Sequence, residues 1–154
     1  MASNYTNRTI DLVAFHGVKP VGYAQLKQNL FLDTAGEVCA GIQKLVQRWL
    51  CIFLTPIGSQ TFDTDRGTRF MVDIFSAGTE NDIYTIFQIA NSDTIDQLKN
   101  EETTDMPLDE KIGAVTLNSI ELYLGSVSLY ITIASKGGTS VNVILPIDIN
   151  PLML

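Results

Sequence analysis

Few side chains in this sequence are of types that could do chemistry. The single histidine, His16, lies in a short segment near the N-terminus. A Ser-His-Asp or Cys-His relay would have to use it, and no nucleophile-elbow pattern accompanies it. Asp63, Asp65, Glu110 and Glu121 are candidates by type for the paired carboxylates of glycoside hydrolysis. Acids are common, however: seventeen occur in 154 residues, so some pair always qualifies. Gly137-Gly138 separates two alternating apolar runs and opens no helix, which makes it a hairpin signal rather than a phosphate-cradling loop. There is no CxxC or His-rich cluster to hold zinc. These residues point away from an enzyme and supply no catalytic set, cofactor or metal.

The charged turn of Asp63, Asp65, Arg66 and Arg69 suits recognition better. The two arginines, three apart, can pair with the preceding acids to leave a self-satisfied surface turn, or offer bidentate forks to another subunit. What positions this turn is an apolar helix that stops abruptly. Pro56 cannot continue a helix, Thr55 before it is pushed toward extended geometry, and Gly58 permits a sharp change of direction. The stretch from Gln43 to Phe70 therefore carries a buried helix straight into a rigid charged loop. A second candidate contact is the last strand. If Val141, Val143, Leu145 and Ile147 lie at a sheet edge, the unpaired backbone invites a strand from another chain. On that reading, proline at Val143 leaves the domain folded and blocks the edge.

The chain has the length of one domain, and 45% hydrophobic residues give it material for a core. Its net charge of −7 argues against nucleic acid as the main partner. Ten of the acids lie between Asp73 and Glu110, with Lys99 the only base among them. Such a run is a solvated helix face with its adjoining loop, or a docking face for a basic partner. No apolar run reaches membrane-spanning length and no signal-peptide core opens the chain, so neither a membrane nor standard export is expected. Cys39 and Cys51 fall in one predicted helix roughly 18 Å apart, too far for a disulfide. They read as small buried apolar residues of a reduced, cytosolic protein.

Periodicity sets the organisation. Residues 1–33 form an N-terminal arm, with one short strand over Thr9 to Phe15 and breaks at Gly17, Pro20 and Gly22. Its apolar Tyr23, Leu26, Leu30, Phe31 and Leu32 must pack across their own domain or be completed by a neighbouring subunit. Residues 34–148 form a single domain, and 149–154 a tail ending in Leu152, Met153 and Leu154. Val38, Ile42, Leu45, Val46, Trp49 and Phe53 make one helical stripe that starts at a Thr34/Glu37 capping-box spacing, with Lys44, Gln47 and Arg48 on the wet face. A second helix is capped within Thr79 to Asp82, carries Ile83, Ile86, Phe87, Ala90, Ile95 and Leu98, loosens at Asn91 to Asp93 and ends near Glu102. From Val115 to Ile147 the period becomes 2, with breaks at Gly125-Ser126 and Lys136 to Thr139. The predicted fold is α+β: two main helices packed on one face of a three-stranded antiparallel meander, with an extended N-terminal arm.

The order of these parts is informative. A helix ending Leu50-Cys51-Ile52-Phe53-Leu54-Thr55-Pro56, the Gly58 turn, Asp65-Arg66-Gly67, a second helix, an acidic link and a Leu/Ile-rich meander follow one another. Over about Val38 to Ile147 the chain resembles the baseplate wedge, or sheath-initiator, family of contractile phage tails and related injection machines, whose members were once labelled lysozyme-like. Family members carry Glu-Pro-Arg before the first strand of the meander. Here the site reads Asp109-Glu110-Lys111-Ile112, which keeps an acid and a base but lacks the proline and the Arg fork. Ser59-Gln60 stand where the family commonly has Glu-Arg.

The resemblance implies a structural virion protein of the tail baseplate, assembled in the host cytoplasm. Its sheet would be similar to the inner domain of the sheath subunit and would template the first sheath ring by β-strand addition. The implied partners are the tail sheath protein, other baseplate wedge proteins and the tail tube or hub region, with several copies in a sixfold assembly. Glu110 and Lys111 would dock a partner less rigidly than the family motif. Another structural tail part, such as a neck or terminator protein, and a peptidoglycan hydrolase are the alternatives.

Overall fold

A computed structural model describes residues 11–28 and 38–149. Expectations that fall on Thr9, Ile10, Leu30, Phe31, Leu32, Thr34, Glu37 and Leu152 to Leu154 lie outside the described residues.

The first helix, α1 (Ile42–Leu54), buries Leu45, Val46, Trp49, Leu50, Ile52 and Phe53. It begins later than its apolar stripe suggests. Gly41 holds φ +65, and Val38–Cys39 are extended, forming β4 antiparallel to β1 (Asp11–Leu12). A positive-φ glycine cannot propagate a right-handed helix, so the stripe before it belongs to a strand. This also separates the two cysteines: Cys39 is buried in β4, whereas Cys51 sits exposed on α1. Burial, helped by the nearby Asp11 carboxylate, pushes the Cys39 thiol up to about 11, so it stays protonated at neutral pH.

Gln47 departs from the expected wet face. It is 3% exposed, and its Oε1 accepts the Ala14 N–H at 2.6 Å while its Nε2 donates to the Leu12 carbonyl at 2.9 Å. The amide thus completes the backbone of the arm between β1 and β2 (Phe15–His16), where no strand lies opposite. β2 in turn pairs with β3 (Lys27–Gln28), so the single strand expected up to Phe15 is split in two.

After the loop, a four-residue helix, α2 (Phe70–Asp73), and a 3-10 turn (Ile74–Ser76) bring Phe70 and Ile74 into the core. The long helix α3 (Glu80–Glu101) starts at a capping box. The Asp82 N–H donates to Thr79 Oγ1 at 3.1 Å and the Thr79 N–H to the Asp82 carboxylate at 2.8 Å. The Thr79 hydroxyl and the Gly78 and Thr79 N–H groups hold the Asp82 carboxyl below its usual range. The helix runs unbroken through Asn91 to Asp93, contrary to the expected loosening. Asn91 is buried because its Oδ1 accepts the Trp49 indole N–H at 3.1 Å, and Thr94 returns its hydroxyl to the Ala90 carbonyl at 2.8 Å. Buried polar side chains with partners do not break a helix.

The sheet is the predicted meander, in the order β5 (Ile112–Tyr123), β6 (Ser126–Ser135) and β7 (Ser140–Asp148). Val127, Leu129, Ile131 and Ile133 of β6 and Val141, Val143, Leu145 and Ile147 of β7 face the helices and are buried. The Leu117↔Ile131 and Ser119↔Tyr130 pairs leave Asn118 as an extra residue, a bulge that turns the end of β5. Leu124 and Gly125 connect β5 to β6 with φ +35 and +85. A two-residue turn with both φ positive favours Asn-Gly, and the left-handed region costs a leucine about 1–2 kcal/mol. Leu124→Asn is therefore expected to stabilise the fold by about 1 kcal/mol, seen as a higher urea midpoint at unchanged slope.

Candidate docking surfaces

The loop between α1 and α2 is rigid because its two ends are laced together. Thr68 N–H donates to Thr55 O at 2.8 Å, Ile57 N–H to Thr68 O at 3.0 Å and Gly58 N–H to Thr64 O at 2.9 Å. Gly67, at φ +112, lies so close that a Cβ there would stand 2.3 Å from Thr55 O. Gln97 of α3 clamps the same glycine from outside, accepting its N–H at 3.0 Å and donating to its carbonyl at 2.8 Å.

Within this frame the four charges part company. Arg66 turns inward and pairs with Glu101 at the end of α3, which also receives Arg48 of α1 at 2.9 Å. Arg69 pairs with Asp73 one turn on, at 3.1 Å in the open. Asp63 and Asp65 are exposed beside a shallow groove of about 190 Å³ that Gln97, Asn100 and Glu101 complete. The outward character of the turn is acidic, and the Arg66 fork is used internally. Neither Glu101 as the partner of Arg66 nor Gln97 as that of Gly67 was legible, because thirty-odd residues separate them from the loop and nothing in their spacing marks them.

Partial desolvation raises the Glu101 pKa, but hydrogen bonds and charge from Arg48 and Arg66 outweigh it and hold the carboxyl below the usual range. A depressed folded-state pKa contributes stability above the unfolded value and loses it as pH falls through the folded value. The loop should therefore loosen on acidification. Amide exchange at Ile57 and Thr68, corrected for intrinsic rate, is expected to accelerate below the ordinary Glu range while that at Ile131 does not. Glu101→Gln should show the same acceleration already at neutral pH, an effect kept modest by partial exposure of the ion pairs.

Glu110 and Lys111 form no surface pair. Glu110 ends a 3-10 turn (Leu108–Glu110) and is 2% exposed. Its Oε1 accepts the Gly41 N–H at 3.0 Å and its Oε2 faces Lys44 Nζ at 3.3 Å, so the carboxylate brackets the start of α1. Lys111 is half-buried, and its carbonyl accepts the Lys136 N–H at 2.9 Å. Among the other candidates by type, Glu121 accepts the Tyr130 hydroxyl at 2.9 Å on the sheet, and His16 is half-buried in β2. The structure does not bring Asp63, Asp65, Glu110 and Glu121 to one site.

The last strand lies at the edge of the sheet, but that edge is not left unpaired. Val141, Val143, Leu145 and Ile147 point into the core, and the outer edge of β7 is held by the chain's own arm. Lys19 N–H donates to Asn142 O at 3.1 Å, Asn142 N–H to Lys19 O at 2.7 Å, Leu26 N–H to Ile144 O at 2.9 Å and Ile144 N–H to Ala24 O at 3.2 Å. Outward amides are thus those of Asn142 and Ile144, while Val143 bonds toward β6 opposite Ile131. Proline at Val143 would break the inner ladder and the fold with it, not merely block an edge.

Side chains fasten the arm further. Asn118 Nδ2 contacts both Tyr23 Oη and Thr132 Oγ1 at 2.7 Å, Thr132 donates to Asn142 Oδ1 at 2.8 Å, and Asn142 Nδ2 donates to Gly22 O at 3.1 Å. Tyr23 meets Tyr130 edge to face at 5.2 Å. Of the two fates open to the arm, the described part packs on its own domain. β5 is different: among the described residues it is paired to a strand on one side only. Its single charge is Glu121.

Among the described residues no cluster of His, Cys, Asp or Glu is arranged to hold a metal, and no helix among them is long and apolar enough to cross a membrane. Comparison with family models, with curated proteins and with solved structures gives no match for this chain.

Proposed function

We propose that this chain is a structural component of a contractile-tail baseplate that templates the first ring of the tail sheath. The observation that carries the reading is the asymmetry of the sheet. One edge, β7, is bonded by four backbone hydrogen bonds to the arm, whereas β5 has no strand beyond it, is met by side chains at Ile112 N–H (Glu102, 2.9 Å) and Val115 O (Asn91, 3.4 Å), and is nearly free of the charges that discourage pairing. A sheath strand would add to β5 and extend the meander. The resemblance of the α1–loop–α3–meander order to wedge proteins supports the same role. The acidic rim at Asp63 and Asp65 then suits contact with basic surfaces of neighbouring wedge or tube proteins.

Nucleation of sheath polymerisation tests this. Purified chain, added below stoichiometry to unpolymerised sheath subunits of the same phage, is expected to shorten the lag. A Thr116→Lys/Ser119→Lys variant places two charges at exposed positions of the β5 edge without touching the core, and is expected to restore the lag. An unchanged lag with the native chain would contradict the role. Full activity of the lysine variant would contradict the edge.

A further inference from the structure

The end of the sheet opposite the arm's crossing carries an apolar projection, made by the last two residues of β5 and the turn that follows. Leu122, Tyr123 and Leu124 are 52%, 74% and 80% exposed in succession. Leu124 is the sole non-glycine residue with positive φ among the described residues, in a turn that asparagine would fill with less strain. A large apolar side chain held in a strained backbone and presented to water is doubly unfavourable in a monomer. Acids bracket this tip: Glu121 precedes it and Asp148 lies opposite Ser126 across the sheet. No Lys or Arg occurs from Ile112 through Ser135.

At the other end of the strands, roughly 30 Å away at about 3.3 Å per residue, lies a groove of complementary character. Between the arm and the start of α1, a space of about 350 Å³ is lined by His16, Val18, Pro20, Ile42 and Val141 among others. Its described lining contains no acid. Exposed Lys19 stands between Val18 and Pro20, and exposed Lys27 pairs in register with His16. Lys136 of the neighbouring β6–β7 turn is held by Glu102 at 2.7 Å, so the lysine rim consists of Lys19 and Lys27.

We infer that the chain binds a second copy of itself head to tail, the Leu122–Leu124 tip of one copy entering the groove between arm and α1 of the next. Apolar surface meets apolar surface, and the acidic bracket meets the lysine rim. A membrane is the poorer occupant of the tip, because anionic headgroups would face Glu121 and Asp148. The two contact surfaces lie on opposite ends of the molecule, so the association is heterologous and propagates into a ring or an open string. It is a property of the isolated chain and does not depend on the tail-assembly reading.

Sedimentation velocity across a concentration series tests this with variants that keep the fold. Leu124→Asn installs the preferred Asn-Gly turn and is expected to weaken association about tenfold, the loss that follows from exposing one leucine. Tyr123→Ser/Leu124→Asn is expected to abolish it. Lys19→Glu/Pro20→Glu alters one exposed groove residue and the exposed lysine beside it, which bonds β7 through its backbone, and should also give monomers. Mixed one to one, the tip variant and the groove variant retain one intact surface each and should form a 1:1 dimer that grows no further. A native chain that stays monomeric up to about 1 mM would overturn the inference. So would self-association of the groove variant alone, which would mean tip-to-tip pairing.

Discussion

Phe53→Ala is expected to destabilise the fold by about 4 kcal/mol, a large part of the roughly 5–15 kcal/mol that holds a domain of this kind together. Phe53 is completely buried and is the hinge of an aromatic cluster. Its ring centroid lies 4.4 Å from Trp49, 4.3 Å from Phe70 and 5.3 Å from Phe87, so it joins α1, α2 and α3 at one point. No other side chain among the described residues touches all three elements through rings, and the neighbours are too large and too constrained to collapse into the space. Phe53→Leu should cost less than half as much. Urea unfolding followed by Trp49 fluorescence provides the measurement. A cost under about 1.5 kcal/mol for the alanine variant would mean that the cluster relaxes and does not organise the core.

The second large effect is expected at Gly67. Alanine there would place its Cβ 2.3 Å from Thr55 O at φ +112, where neither the contact nor the backbone can be kept. The loop's ends would separate, releasing the Thr55–Thr68 bond and the Gln97 clamp together, at about 3 kcal/mol or more. Gly58 provides the control, since it also has positive φ, +82, but nothing lies within 4 Å of an added Cβ. Gly58→Ala should cost only about 1 kcal/mol. Equal costs at the two sites would show that backbone conformation alone matters and that the close approach at Gly67 is relieved by a small shift.

The α+β architecture was legible because apolar period survives wherever a face is buried. The stripe through Leu45, Trp49 and Phe53 and the alternation from Val127 to Ile133 each face the same core. What periodicity misreads is polar residues with internal partners. Gln47 reads as wet face, Asn91 as a loosening of the helix and Glu110 as a docking acid, but each is buried by a hydrogen bond to a group that sequence spacing cannot bring near it. The start of α1 failed for a local reason, since a single glycine at φ +65 overrides an otherwise helical stripe.

The docking surfaces were legible only in type. Alternation in β7 tells which side chains face inward, but not that Lys19 and Ala24, more than a hundred residues earlier, close its outer edge. The same limit hid the partner of Arg66. An edge is a property of the assembled sheet, and the strand left without a neighbouring strand on one side is β5.

The proposed place in a tail is tested most directly by locating the protein on purified contractile particles. Quantitative mass spectrometry for copy number would be combined with antibody labelling under the electron microscope. A low-copy component labelled at the distal end of the tail, where the first sheath ring begins, is expected. Label at the head-proximal end would fit a neck or terminator protein instead. Absence from the particle, together with clearing of cell walls by the purified protein, would contradict the structural role altogether.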